Sequence, residues 1–131
     1  MLRPIKPLFR MAGAVAMAWL GMYIHNLADL PNLSFWSPEN AMPGLVWLFL
    51  FGLWWAMLDR IAPDRLLLGW GLLNLVGGFA TVLPLPFLPF RPEQSPRHYI
   101  FHLLYALAQL PLLVLVRNEL RQLRSRSGAA A

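Results

Sequence analysis

Cysteine is absent from the 131 residues, which excludes disulfides, thiolate metal ligands and a lipoprotein acylation site. Charge is scarce: only 13% of residues are Asp, Glu, Lys or Arg, about half the share of an ordinary globular domain. Lysine is nearly missing, Lys6 being the one Lys among eleven basic residues, an arginine bias that fits a GC-rich bacterial source. No charged residue falls at the middle of any long apolar stretch, which argues against proton-coupled transport by this chain alone. Nor does a serine stand in a nucleophile motif, since Ser34, Ser37 and Ser95 are loop residues without one. These absences argue against an enzyme.

What is present is apolar. Hydrophobic residues make up 58% of the chain, and a helix needs about 20 apolar residues to cross a bilayer. Four segments approach this, residues 9–28, 43–61, 65–83 and 97–116. A soluble bundle of this size could not hide Trp47, Phe49, Phe51, Trp54, Trp55 and Trp70 along with four such helices. The expected fold is an all-α integral membrane protein, a four-helix up-down transmembrane bundle over residues 1–118, followed by a basic cytoplasmic tail over 119–131. The positive N-terminal flank resembles a signal peptide, but no A-x-A cleavage pattern closes the run and three more spans follow. We read it as an uncleaved first helix.

The net charge of +5 is topological in origin rather than a nucleic-acid signal. Arg3, Lys6, Arg10, Arg60, Arg65, Arg117, Arg121, Arg124 and Arg126 fall on one side of a four-span arrangement, leaving Arg91 and Arg97 on the other. The positive-inside rule then places both termini in the cytoplasm of a cell (inner) membrane. Arg117, Arg121, Arg124 and Arg126 should attract anionic lipid there at about 1 kcal/mol each.

Several local features organise the chain. Ala14, Ala18, Gly21, His25 and Ala28 share one face of the first helix, and small residues let membrane helices approach closely. Pro31 should end that helix, Ser37-Pro38 should form a turn or a short helix start, and Pro43 should fall in the first turn of the second span. The second span has no polar side chain before Asp59 and should be the most lipid-exposed. Asp64 is placed to cap the third helix. Gly71, Asn74, Gly78 and Thr81 share a face of that helix. The proline-rich stretch between the third and fourth spans should be extended.

The fourth helix carries a polar stripe, His98, His102, Tyr105 and Gln109, at i, i+4, i+7 and i+11. Polar groups in hydrocarbon face protein or a wet cavity. Asn74 and Gln109 lie near one depth and should clasp the third helix to the fourth; Thr81 and Tyr105 are further candidates for interhelical contacts. Pro111 should kink the fourth helix.

His25-x3-Asp29 at the outer end of the first helix and His98-x3-His102 at the outer start of the fourth form the candidate site. At 1.5 Å rise per residue His25 and His102 both lie roughly 7 to 8 Å below the outer surface of a ~30 Å core. Three imidazoles and a carboxylate suit zinc or a similar divalent metal. Tyr99 stands where the HExxH zinc proteases have Glu. Haem b ligated by His25 and a fourth-helix histidine is the other cofactor to weigh, with room for it beside Gly21 and Ala28. The simpler expectation is no cofactor, with each histidine an interhelical hydrogen-bonder. Together these features describe a small polytopic accessory or structural membrane protein acting through lipid, a membrane-protein partner or a second copy, with metal or haem binding as the alternative.

Overall fold

The computed structural model describes residues 5–30, 32–58, 60–86 and 93–128. They form four α-helices, α1 (Ile5–Asp29), α2 (Pro38–Ala56), α3 (Ile61–Ala80) and α4 (Pro96–Gly128), with no strand among the described residues. At 1.5 Å per residue the shortest, α2, is about 28 Å long. Among the described residues one helix, over Pro96–Arg126, is long and apolar enough by itself to cross a membrane. The others carry polar residues that lower their hydropathy: His25 and Asn26 in α1, Glu39 and Asn40 in α2, Asp64, Arg65 and Asn74 in α3. The expectations for Pro31, Asp59, Arg91 and the middle of the proline-rich loop lie outside the described residues.

Helix α4 is the hub. It packs most extensively against α1 and α3, while α2 lies against both of those more lightly. The core joins Met11, Ala14, Val15 and Ala18 of α1 to Trp47, Leu50 and Trp54 of α2, Leu67 of α3, and Leu112, Val116 and Leu120 of α4. Trp47 and Trp54 are almost fully enclosed, so α2 is anchored by two indoles, although Leu45, Leu48 and Phe49 face outward.

Close approach of backbones follows the small residues. A Cβ on Gly21 would overlap the Ala108 methyl of α4, and one on Gly78 would press on the Tyr105 ring at 3.0 Å. Glycine at these two points lets α1 and α3 lie against α4.

Helix α2 begins five residues earlier than its apolar run, at Pro38, so Pro43 sits inside the helix rather than in its first turn. Its ring removes the hydrogen bond that the Glu39 carbonyl would accept. Asn26 of α1 fills that vacancy, donating Nδ2 to the Glu39 carbonyl at 3.2 Å and to Asn40 Oδ1 at 2.9 Å. Asn40, fully buried, passes the connection on to the Ser34 carbonyl at 2.8 Å. This amide chain ties the C-terminal end of α1 to the N-terminal end of α2.

The expected Asn74–Gln109 clasp does not form. Gln109 turns to α1 and donates Nε2 to the Ala18 carbonyl at 2.9 Å. Asn74 instead accepts from the Tyr105 hydroxyl at 2.6 Å and donates to the Trp70 carbonyl of its own helix at 2.8 Å. Tyr105 and Gln109, one turn apart on α4, find their partners on different helices, the side-chain oxygen of Asn74 on α3 for the first and the Ala18 carbonyl of α1 for the second. Thr81 makes no interhelical bond either; its hydroxyl returns to the Gly77 carbonyl one turn back, as threonine often does near a helix end. Helix α4 continues through Pro111 and beyond the expected span to Gly128.

The α1–α4 contact can be tested by adding one carbon. Gly21→Ala should lower stability by roughly 1–3 kcal/mol through overpacking against Ala108. Gly13→Ala, where nothing lies within 4 Å, should be neutral or stabilise by up to about 1 kcal/mol. Thermal unfolding of both variants in one detergent measures the difference; equal stabilities would show that Gly21 does not meet α4.

Candidate functional site

The C-terminal end of α1 and the N-terminal end of α4 meet where the polar stripe begins. Helical spacing puts His25 and Asp29 on one face of α1 and His98 and His102 on one face of α4. Arg97 holds the two ends together, donating Nη2 to the Ala28 carbonyl at 2.7 Å, one of the acceptors a helix C-terminus leaves open. The structure brings all four candidate residues into one cluster.

Asp29 is its centre. The carboxylate Oδ2 lies 3.0 Å from His25 Nδ1 and 2.9 Å from His98 Nδ1. The two contacts are not equivalent. His98 makes a hydrogen bond to Asp29, whereas His25 Nδ1 is buried and, despite its short distance to Asp29, lies off the line of a hydrogen bond. His98 Nε2 is also buried without a partner.

His102 is held from the other side. Its Nδ1 lies 2.6 Å from the Gly78 carbonyl of α3, which can only accept, so the ring must carry its proton on Nδ1. That leaves Nε2 with a free lone pair. Fixing one imidazole nitrogen to orient the other is the usual device around metal-binding histidines. His98, which also donates from Nδ1, is fixed by the same logic.

Ligand atoms of His25, Asp29 and His102 all lie within 4.8 Å of one another. Around a tetrahedral zinc with bonds of ~2.0 to 2.1 Å, neighbouring ligand atoms stand about 3.3 Å apart. Small rotations of the imidazoles would close that difference. Tyr105, with its ring parallel to that of His25 within 6° at 5.8 Å between centroids, supports His25 from below. The Tyr105 hydroxyl is in turn held by Asn74. The site therefore rests on α3 as well as on the two helices that supply it.

The arrangement does not fit haem. The His25 and His102 rings are packed at 4.1 Å between centroids, a direct ring contact with no gap for a porphyrin plane. On the side where it faces α4, Gly21 meets the Ala108 methyl, and the open apolar groove of about 400 Å³ that Gly21 and Ala108 also line has no histidine in its wall.

The residues that the sequence alone left unmarked are the partners. Gly78 offers its backbone carbonyl, Arg97 caps α1, and Asn26 and Asn40 lock α1 to α2 one turn below Asp29. Of these, Asn26 alone had a readable signal, an amide beside His25 on the same helix. Comparisons with protein-family models, curated proteins and solved structures yield no match to this chain.

The tautomer assignment is directly measurable. In 15N spectra of histidine-labelled protein kept free of metal at a pH where the rings are neutral, His98 and His102 should both carry the proton on Nδ1. The Nε2–H form for His102 would contradict the Gly78 contact.

Proposed function

We propose that this chain is a four-helix integral membrane protein, with both termini in the cytoplasm, that holds a divalent transition metal between α1 and α4 near the outer surface. It acts as an accessory protein through that metal and through its lipid and protein contacts, not as an enzyme. His25, Asp29 and His102 are the ligands, and His98 orients the Asp29 carboxylate by hydrogen bonding.

The observation that carries the metal reading is the unsatisfied imidazole nitrogen of His25, buried beside a carboxylate and a second imidazole whose lone pair is free. A buried polar atom without a partner costs about 1–3 kcal/mol. A cation bound to Asp29, His25 Nδ1 and His102 Nε2 would remove that cost. Two imidazoles and one carboxylate suit zinc, cobalt, nickel or copper over calcium or magnesium, which prefer oxygen ligands throughout.

The membrane reading is supported by the distribution of apolar side chains. Leu20, Ile24 and Leu27 on α1, Leu45, Leu48 and Phe49 on α2, Leu72, Leu73, Val76 and Phe79 on α3, and Leu103, Leu104, Leu107 and Leu110 on α4 all face outward. The polar residues Asn40, Asn74, His102 and Gln109 face inward. Water would favour the opposite arrangement, and a bilayer favours this one. Arg117, Arg121, Arg124 and Arg126 are exposed on the last turns of α4, where anionic lipid headgroups would meet them.

Metal binding is tested with purified protein in detergent, by equilibrium dialysis against zinc and by cobalt as an optical probe of coordination. One equivalent should bind, and His25→Ala and His102→Ala should each weaken it at least tenfold. His98→Ala should weaken it less. Unchanged binding in the His25→Ala/His102→Ala double variant would remove the proposal.

The topology is tested separately. Reporter fusions after Arg10, Pro38, Pro63, Glu93 and Ala131 should alternate inside, outside, inside, outside, inside. A fusion at Ala131 that reports the outer side would overturn it.

A further inference from the structure

At the opposite end of the bundle a second polar cluster is enclosed. Asp64, in the first turn of α3, is 1% exposed, and neither of its carboxylate oxygens has a hydrogen-bond partner. It does not cap the helix: α3 starts three residues earlier, with Arg60 in the capping position, and Asp64 has turned inward. Facing it from α4 is Glu119, within side-chain hydrogen-bonding reach. Glu119 Oε2 accepts from Trp54 Nε1 of α2 at 2.8 Å.

Two ionised carboxylates can only accept, so no hydrogen bond joins them, and their charges repel at close range. One added proton changes both terms. It removes a buried charge and creates a charge-assisted O–H···O bond between α3 and α4. The Trp54 N–H, aimed at Glu119 Oε2 at 2.8 Å, favours the charge on Glu119; it also acts on Asp64 in the same sense, but more weakly than burial and the Glu119 neighbour act against it. That same N–H disfavours a metal cation in place of the proton.

We propose that Asp64 and Glu119 form a proton-binding acid pair, with the proton on Asp64 and the charge on Glu119, which fastens α3 to α4 when protonated and loosens that contact when the proton leaves. The pair is independent of the metal site and of the membrane reading.

Among the described residues, the remaining charged groups at this end do not compensate Asp64. On its own helix and turn, Arg60 and Arg65 are exposed, as are Arg10 of α1 and Arg117 and Arg121 of α4, while Trp54 is the polar group that α2 presents. Burial, then the Glu119 neighbour, pushes the Asp64 carboxyl up to about 7; the residue precedes the third apolar run. In the unfolded chain the same carboxyl ionises near its ordinary value of about 4. Between those two pH values the folded state holds a proton that the unfolded state has lost, so stability falls as pH rises from about 4 to about 7 and levels off above.

Infrared difference spectroscopy of the full chain in detergent tests the pair. Wild type at pH 5.5 should show a protonated-carboxyl C=O band that disappears with a midpoint near pH 7, and Asp64→Asn should lack it. Asn mimics the protonated acid, so this variant should fold and should lose the fall in melting temperature, at least about 5 °C in wild type between pH 5 and 7.5. Glu119→Gln keeps an oxygen for Trp54 and removes the charge, so the midpoint should move at least one pH unit toward acid. A wild-type spectrum without a protonated carboxyl at pH 5.5 would overturn the proposal by itself, whatever the variants do. A band retained in Asp64→Asn, or a midpoint unmoved in Glu119→Gln, would do the same.

Discussion

Four polar side chains on one stripe of α4 set the arrangement of everything around them. His98 bonds to Asp29 of α1, His102 to the Gly78 carbonyl of α3, Tyr105 to Asn74 of α3, and Gln109 to the Ala18 carbonyl of α1. Each would be costly to bury alone, and no two of them satisfy one another through their side chains. Both α1 and α3 must therefore lie against α4, and each must do so in a register that presents the right acceptor. Apolar packing among leucines has no such directional requirement. It supplies area, and the stripe supplies the order and the register of the helices.

Helix α2 stands outside this scheme and is fixed by other means. At its N-terminal end the amide chain of Asn26 and Asn40 joins it to α1, in part by replacing the bond that Pro43 removes. At its C-terminal end the Trp54 indole reaches across to Glu119 of α4. Between these two ends the contacts of α2 are apolar, led by Trp47 and Leu50. The two ends of the bundle thus differ chemically, imidazoles and one carboxylate at one against two carboxylates and an indole at the other.

The helices and the outer cluster were legible in the sequence because both depend on periodicity. Spacings of four place His25 with Asp29 and His98 with His102, and equal depth places the two pairs opposite each other, with no knowledge of loops needed. Partner choice was not legible. Asn74 and Gln109 do lie near one level, but Gln109 meets the Ala18 carbonyl of α1 and Tyr105 takes Asn74, and spacing along one helix does not say which neighbour each side chain finds. Tyr105 also reaches a full turn past its own Cα, so depth alone assigned Asn74 to the wrong residue. Glu119 was hidden for another reason. Its surroundings, Arg117, Arg121 and Arg124, read as a solvated basic tail, and only the continuation of α4 along α3 brings the carboxylate to Asp64. Asn40 lay in a stretch of loop composition, Pro38-Glu39-Asn40, which folds as the first turn of α2 because Pro suits that position.

Among the described residues, every side chain of the His25, Asp29, His98 and His102 cluster stands on a helix, and this bears on how it would behave. His25 and Asp29 move with α1, His98 and His102 with α4, and the distance between the two pairs is set by the seam where Gly21 meets Ala108. Sites built on packed helices hold their geometry more tightly than sites on loops. Separated helices would keep the i, i+4 pairs but lose the seam, and with it the convergence of His25, Asp29 and His102. A metal bound there would consequently favour the assembled bundle over the separated helices, in proportion to its preference for the converged ligands. Metal affinity and α1–α4 association are then two measures of one equilibrium, so anything that parts the seam, including a side chain added at Gly21 far from any ligand atom, would weaken the site without touching it.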